Sequence, residues 1–379
     1  TDTGIIYPQN PNWTAPAAFN IPLDSGDRDA IAASNNTLLI NVLSLFHTSN
    51  EEAIADYGEI NTWDVSQITN MNQLFYNKYE FNEDINDWDT SSVTDMSDMF
   101  QGCSTFNQPL NKWNVSNVTN MYNMFALCIV FDQNINTNVQ TRNGTQYLAW
   151  DVSSVANMHR MFDRVVDFNQ SLDKWNVSKV SNMGYMFYSN NSDDVKFNQN
   201  LTENEVSFTI NGTTNTYGAW NLDKITNMDN MFRYHRTFNN GAAEGESTEL
   251  KWSFPVCTKG LNNMFRNAKK FNARIHNWDV SNMTEMAQTF RSAVSFNQEV
   301  RTWNISNITS FNGLFNGATA FLDNYNTGST PSTLFWRLYP ENVYFDHTVP
   351  PKFDTDNFAN NNTLLKNVIN FYLNDKTTA

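Results

Sequence analysis

Apolar residues return along this chain in a fixed series. Counting from Trp113, they fall at Val115, Val118, Met121, Met124, Phe125 and Phe131, that is at +2, +5, +8, +11, +12 and +18, with polar residues between. Trp63, Trp88, Trp150, Trp175, Trp220, Trp252, Trp278 and Trp303 each begin the same series, which makes nine repeats. Successive tryptophans lie 25 residues apart over Trp63, Trp88 and Trp113, from Trp150 to Trp175, and from Trp278 to Trp303; the other steps are 37, 45, 32 and 26. The step from Trp to the first Phe is steadier. Phe75, Phe100, Phe125, Phe162, Phe187, Phe232, Phe290 and Phe315 lie 12 after their Trp and Phe265 lies 13 after, so insertions avoid that half of the repeat. A period between about 20 and 50 residues marks a solenoid, whose repeats bury their apolar faces only by stacking on one another.

Within a repeat the apolar spacing changes, and the predicted element changes with it. Phe106, Gln108 and Leu110, then Trp113 and Val115, alternate as in extended chain. Met121, Met124 and Phe125 fall at i, i+3 and i+4, which predicts one or two helical turns, and Thr119 stands in place as N-cap, as do Thr69, Thr94, Ser181, Thr226, Thr284 and Thr309. Stacked side by side, the extended segments predict a parallel sheet with strands roughly 4.8 Å apart. The expected fold class is therefore an α/β repeat solenoid of nine coils over residues 61–321, with parallel short strands and short helices. The nine tryptophans, with Phe100, Phe125, Phe162 and Phe187, are its expected core. Asn82, Asn107, Asn169, Asn198, Asn239, Asn272 and Asn297 follow the second Phe of their repeats. An amide without a partner is costly to bury, so this column is expected to bond the backbone of adjacent repeats.

The flanks lack the period. Residues 1–34, with Pro8, Pro11, Pro16 and Pro22, predict an extended arm. Residues 35–60 predict two short capping helices, the first with Leu38, Leu39, Val42, Leu43 and Phe46 on one face, the second opened by a capping box from Ser49 to Glu52. Residues 322–360 contain Pro331, Pro340, Pro350 and Pro351 and predict a linker; residues 361–379 predict a helix that is a C-terminal cap or the start of a second module. Asn361 to Leu365 repeats Asn35 to Leu39, which predicts a longer tandem or end-to-end assembled parent. Insertions fall at Asn134 to Leu148, Ser189 to Val195, Asn200 to Gly218 and Asn239 to Glu249, and Asn143-Gly144 and Asn211-Gly212 predict hairpin turns. Insertions that precede the Trp in successive repeats should emerge along one edge, which marks Asn143, Asn200, Asn211 and Tyr217 as a candidate binding edge. Asn12, Asn143, Asn200 and Asn211 also stand in sequons outside the regular repeats, where a glycan would not block stacking.

The motif W-[DN]-V-S-x-[VI]-T-N-M-x-x-M-F followed by F-N-Q closely resembles the 25-residue repeats of BspA-like surface proteins, a family of bacteria, mycoplasmas, protists and large DNA viruses. The resemblance runs from about Gly58 to Phe321. Leu110, Trp113, Val115 and Val118 also fit the start of a leucine-rich repeat, with Trp for one Leu. The resemblance implies a leucine-rich-repeat-type solenoid with a surface-exposed binding or adhesion role, and it brings no catalytic residues.

A net charge of −15 over 379 residues argues against nucleic acid or anionic membrane as partners. No apolar run is long enough to insert into a membrane. Three cysteines make no disulfide framework. Cys103 and Cys128 share a repeat position, but parallel stacking leaves their Cβ atoms as far apart as their Cα atoms, so small-residue packing is expected rather than a bond. His47, His159, His235, His276 and His347 share no repeat position or metal spacing, and no nucleophile elbow, phosphate loop or zincin motif occurs. The one ordered charge set is Asp64, Asp89, Asn114, Asp151, Asn176, Asn221, Asp279 and Asn304, one after every Trp of the nine except Trp252. It is expected to be a solvated ladder that keeps a sheet face from aggregating; the alternative is a solenoid carbohydrate-active or calcium-binding protein that uses these carboxylates. The reading is a non-enzymatic protein, without cofactor or metal, at an extracellular, cell or virion surface. It would act as spacer, adhesion or assembly module toward a protein or glycan ligand or neighbouring copies of itself.

Overall fold

The structure, a computed structural model, describes residues 39–44, 47, 53–54, 57–190, 194–243 and 245–325, with 328, 330, 331 and 335. Among them two compact units are distinguished: residues up to Val180 together with Asn204–Trp220, and Ser181–Glu203 together with residues from Asn221 onward.

Each repeat except that of Trp252 opens with an Asx turn. The Asp64 carboxylate accepts the Ser66 N–H at 3.0 Å, and the Ile68 N–H closes back on the Val65 carbonyl at 2.9 Å. Asp89 and Ser91, Asp279 and Ser281, and Asn304 and Ser306 form the same contact at 3.1, 2.9 and 3.1 Å. A second Asx turn follows, in which Asn70 accepts from the Asn72 N–H at 2.8 Å and Asp95 from the Ser97 N–H at 2.8 Å. Between such turns only one or two residues stay extended. The parallel contacts between repeats are therefore isolated bridges, Asn70 to Asp95, Asp95 to Asn120 and Asn120 to Asn157 in the first unit, and Asn182 to Asn227, Glu249 to Arg274 and Glu285 to Ser310 in the second.

The methionine segment is a run of tight turns. N–H groups at alternate residues close three residues back, Leu74 on Met71 at 3.3 Å, Tyr76 on Gln73 at 3.0 Å and Lys78 on Phe75 at 2.9 Å. The N–H groups between them reach the next repeat, Met71 to the Asp95 carbonyl at 2.9 Å, Gln73 to Ser97 at 3.0 Å, Phe75 to Met99 at 2.9 Å and Asn77 to Gln101 at 2.8 Å. A left-handed residue recurs, twice in most repeats: Gln73 and Asn77 at φ 57°, Asp98 at 56° and Gly102 at 80°, Asn123 at 52° and Leu127 at 64°, Gln288 at 58° and Ser292 at 57°. A residue at positive φ cannot continue a right-handed helix, so the i to i−4 ladder never forms. The threonines expected as N-caps bond backward instead: the Thr94 hydroxyl and N–H both donate to the Thr69 carbonyl, at 3.1 and 2.8 Å.

The expected α/β solenoid, nine coils of parallel strand and short helix, is thus incorrect. Among the described residues the strands are four, β1 (Asn138–Arg142), β2 (Thr145–Ala149), β3 (Asn204–Ile210) and β4 (Thr213–Ala219), and they pair antiparallel as β1-β2 and β3-β4, all inside insertions. Helix α1 (Thr319–Tyr325) follows the last repeat, and Ile60–Thr62 is one 3-10 turn. Helix α1 crosses the boundary expected at 321, and Phe321 stacks on Phe315 at 3.9 Å. Residues 39–44, 47, 53, 54 and 57 are helical, whereas the arm, half of the expected capping segment, most of the C-terminal linker and the C-terminal helix lie outside the described residues.

The nine tryptophans are at most 3% exposed. A buried indole needs a partner for its N–H, and each finds one in the preceding turn of chain. Trp88 donates to the Ile60 carbonyl at 2.8 Å, Trp113 to Ile85 at 3.0 Å, Trp150 to Leu110 at 2.7 Å, Trp175 to Ile135 at 2.9 Å and Trp220 to Leu172 at 2.8 Å; in the second unit Trp252 donates to Leu201 at 2.7 Å, Trp278 to Leu250 at 2.7 Å and Trp303 to Ile275 at 3.2 Å. Phe75, Phe100, Phe125 and Phe162 form a second stacked column, with centroids 5.4, 5.5 and 5.8 Å apart, and Phe187, Phe232, Phe265 and Phe290 form its counterpart at 5.3, 5.7 and 5.8 Å. On the rim, the Asn82 amide oxygen accepts the Asn107 N–H at 2.8 Å, and Asn107 that of Asp132 at 2.9 Å; Asn198, Asn239 and Asn272 do the same for Asn239, Asn272 and Asn297 at 2.7, 2.7 and 2.9 Å.

The three cysteines are free and buried. Cys103 and Cys128 donate Sγ–H to the Phe75 and Phe100 carbonyls at 3.0 and 2.9 Å. Burial pushes the Cys103 thiol up to about 12. The extra residue between Trp252 and Phe265 is absorbed at Gly260, at φ 109°, where an added Cβ would lie 1.8 Å from the Glu285 carbonyl oxygen.

Candidate functional site

The first unit carries both hairpins. Their tips have positive φ at both central residues, 49° and 78° at Asn143-Gly144 and again at Asn211-Gly212, the type I′ geometry that suits strand twist. In β3-β4 the residues alternate between two faces. Val206 pairs with Tyr217, Phe208 with Asn215 and Ile210 with Thr213 on one face, while Ser207 and Thr216 share a hydroxyl bond at 2.6 Å on the other, and Thr209 and Thr214 one at 2.9 Å. One side of this hairpin is thus apolar and aromatic, the other a row of exposed hydroxyls.

Both hairpins fold back over the repeats that carry them. The Tyr147 and Tyr217 hydroxyls donate to the Lys112 and Lys174 carbonyls, each at 2.5 Å, and each carbonyl belongs to the residue before a Trp. Arg142 pairs with Asp89 at 2.7 Å, donates to the Trp88 carbonyl at 3.0 Å and lies 5.6 Å over the Tyr147 ring. Lys174 lies 5.8 Å over the Phe208 ring, and the Asn211 N–H donates to the Gln146 side chain at 2.9 Å, which ties one hairpin to the other. Burial raises both phenols, Tyr217 to about 12, so each stays a donor. The chain re-enters the repeats at Trp150 and Trp220, at φ 52° and 54°. There the N–H groups reach the Trp113 and Trp175 carbonyls, at 3.0 and 3.1 Å, and the indoles stay in the core.

Beneath the hairpins lies an open groove of ≈ 340 Å³. Tyr147, Leu148, Phe208, Ile210 and Tyr217 form its apolar wall, and its floor is the Asx-turn residues of three successive repeats, Asn114 with Ser116, Asp151 with Ser153, and Asn176. Each floor Oδ1 is already engaged by an N–H two residues on, at 3.1 to 3.2 Å. The Asn114 and Asn176 Nδ2 groups and the Asp151 Oδ2 make no hydrogen bond among the described residues. Rigid rings beside amide and carboxylate groups suit a ligand with an apolar face and many hydroxyls.

Of the residues expected at a binding edge, Tyr217 lines the groove, Asn143 and Asn211 are exposed at the hairpin tips, and Asn200 belongs to the second unit, where its side chain accepts the Thr202 N–H at 2.9 Å. Tyr147 and Phe208 were not expected there, and the floor residues Asn114, Asp151 and Asn176 were expected only as part of the alternative carbohydrate or calcium column. One signal marks the two tyrosines: Tyr147-Leu148-Ala149-Trp150 and Tyr217-Gly218-Ala219-Trp220 share Y-x-A-W, three residues from ring to indole. Among the described residues no group of three His, Cys, Asp or Glu could hold a metal ion, and no helix is long and apolar enough to cross a membrane.

A family model described as Mycoplasma protein of unknown function, DUF285, matches the chain three times in tandem, over residues 41–148, 138–250 and 243–334. Each match takes in three of the nine tryptophans, Trp63 to Trp113, Trp150 to Trp220 and Trp252 to Trp303. Neither a curated protein nor a solved structure matches.

Proposed function

Because the chain belongs to the DUF285 family of Mycoplasma proteins of unknown function, a tandem-repeat family, we propose that it is a non-enzymatic surface adhesion module that takes a glycan in the groove under its hairpins. The observation that carries this reading is the wall of Tyr147, Phe208 and Tyr217, held rigid by the two phenol-to-carbonyl bonds over a floor of asparagine, aspartate and serine. Preorganised rings lose little entropy on binding, and the amides discriminate among hydroxyls. The BspA-like motif resemblance supports a place outside the cell or on a virion, and it supports adhesion rather than catalysis. No metal or cofactor is assigned to the site.

Glycan-array binding by the whole chain tests the proposal, with Phe208→Ala as the variant, because Phe208 lies on a hairpin outside the tryptophan core and its loss should leave the fold intact by circular dichroism. Retention of one or a few glycan classes, lost at least tenfold in the variant, is expected. Binding that survives Phe208→Ala, or no glycan retained, would overturn the groove reading, and release of shortened sugars during incubation would overturn the non-enzymatic one.

A further inference from the structure

The second unit carries Arg233, Arg266 and Arg291 on successive repeats, each the residue after the first Phe. Their backbones are held in register. The Tyr234 N–H donates to the Arg266 carbonyl at 2.7 Å and the Asn267 N–H to the Arg291 carbonyl at 2.7 Å, so three guanidinium stems repeat at roughly the 4.8 Å spacing of hydrogen-bonded chains. Each guanidinium bonds a neutral amide three residues back: Arg233 to Asn230 at 3.1 Å, Arg266 to Asn263 at 3.3 Å and Arg291 to Gln288 at 3.2 Å. None of the three pairs with a carboxylate among the described residues. Arg233 also lies over two rings, 5.9 Å from Tyr188 and 5.1 Å from Tyr234.

Three like charges at this spacing repel one another. Arg266 is held below its ordinary value first by burial, then by Arg233, with Arg291 acting in the same sense, and the Tyr234 phenol is drawn down chiefly by its bond to Arg233. In a chain of net charge −15, a column of three cations that pairs with no acid among the described residues is where oxyanions would be held. We propose that the Arg233, Arg266, Arg291 column binds an anionic polysaccharide, with one sulfate or carboxylate taken by each guanidinium. A linear ligand with a charge on each monomer matches a column with a charge on each repeat. Nucleic acid matches less well, because Arg233 already lies over the Tyr188 and Tyr234 rings on which a base would have to stack. This site is independent of the hairpin groove, which lies in the other unit.

Fluorescence anisotropy with labelled heparin over a salt series, using the whole chain, tests the proposal; polygalacturonate and a single-stranded DNA oligonucleotide are the other probes. Arg233→Gln/Arg266→Gln/Arg291→Gln keeps long polar side chains and should weaken binding of the preferred polysaccharide at least tenfold, and lower the slope of log affinity against log salt by about two to three. The charge-matched control Lys78→Gln/Lys179→Gln/Lys224→Gln should change it less than threefold. Heparin preferred over polygalacturonate identifies sulfate as the ligand group, and the reverse identifies carboxylate. Should the triple variant fail to fold, Arg266→Gln alone relieves repulsion from both sides; it should melt no lower than the parent and still bind more weakly. No polysaccharide binding by the folded parent, equal binding by the variants, or tighter binding to the oligonucleotide would each overturn the proposal.

Discussion

Trp175→Ala removes a ring whose surroundings are fully specified. The indole is 0% exposed, stacks on Trp150 with centroids 6.2 Å apart, lies tilted against Phe162 at 6.1 Å, and donates to the Ile135 carbonyl at 2.9 Å. Truncating a buried Trp costs about 3–5 kcal/mol in lost contacts and residual cavity. The Ile135 carbonyl, left without its donor, adds a penalty on the order of 1–3 kcal/mol unless water enters. A folded domain is stable by only about 5–15 kcal/mol, so this one change should bring the first unit close to unfolding. In stacked repeats the loss acts on nearest neighbours, so protection of amides in the repeats of Trp150 and Trp220 should fall before that of Trp63. Urea unfolding followed by circular dichroism gives the total, and hydrogen exchange gives the location. Tyr79→Ala, at a ring 60% exposed, is the control and should stay within about 0.5 kcal/mol. A Trp175→Ala protein within about 1 kcal/mol of the parent would refute the stacking argument.

Three further outcomes follow from single sites. Gly260→Ala places a methyl group 1.8 Å from the Glu285 carbonyl oxygen at φ 109°, and should lower stability by about 2 kcal/mol or more, whereas Gly144→Ala, with nothing within 4 Å, should cost about 1 kcal/mol from backbone strain alone; paired thermal melts decide. Burial holds His235 neutral with a pKa of about 3 against 6.5 in the unfolded chain, so its contribution is fully present above pH 6.5 and is lost as pH falls toward 3, by about 2 kcal/mol at pH 5. His235→Leu should flatten the dependence of the urea midpoint on pH between 6.5 and 4, and an unchanged slope would count against it. Cys103, Cys128 and Cys257 are buried with raised thiols, so at pH 8 a disulfide reagent should label none of them until the protein unfolds.

The columns of the core can be read from the period alone, because stacking places every 25th residue on its predecessor whatever the path between them. That path is another matter. Met121, Met124 and Phe125 have helical spacing, yet Asn123 at φ 52° stands between them and Leu127 at 64° just after. Two tight turns also return side chains to one face at three- and four-residue intervals, so apolar spacing cannot tell them from a helix. The distinguishing signal is composition at the left-handed positions. Asn123, Asn230 and Asn263 hold one of them, and Asn77, Gly102, Asn267 and Gly317 the other, residues that reach positive φ cheaply. Likewise Trp-Asp-Val-Ser alternates as a strand does, but its Asp and Ser are joined by an Asx turn.

At the candidate site, the hairpins are legible and their destination is not. Asn-Gly between alternating apolar residues specifies a type I′ turn locally, so β1-β2 and β3-β4 follow from their own residues. Where each hairpin lies depends on contacts that no short stretch contains, a phenol to a carbonyl 35 residues back for Tyr147 and 43 back for Tyr217. The Y-x-A-W pair is the trace these contacts leave, and it recurs because both hairpins meet the same backbone geometry before their Trp. The Asp and Asn column after every Trp except Trp252 is regular for a different reason, since its oxygens serve the turns of those repeats, including repeats with no groove above them. Regularity along such a chain therefore reports what stacking demands of every repeat. The two proposed recognition sites lie where that regularity is broken, at the hairpin groove over Asn114, Asp151 and Asn176, and at the one stretch where arginine replaces the tyrosine, glutamine, alanine, aspartate or asparagine of other repeats.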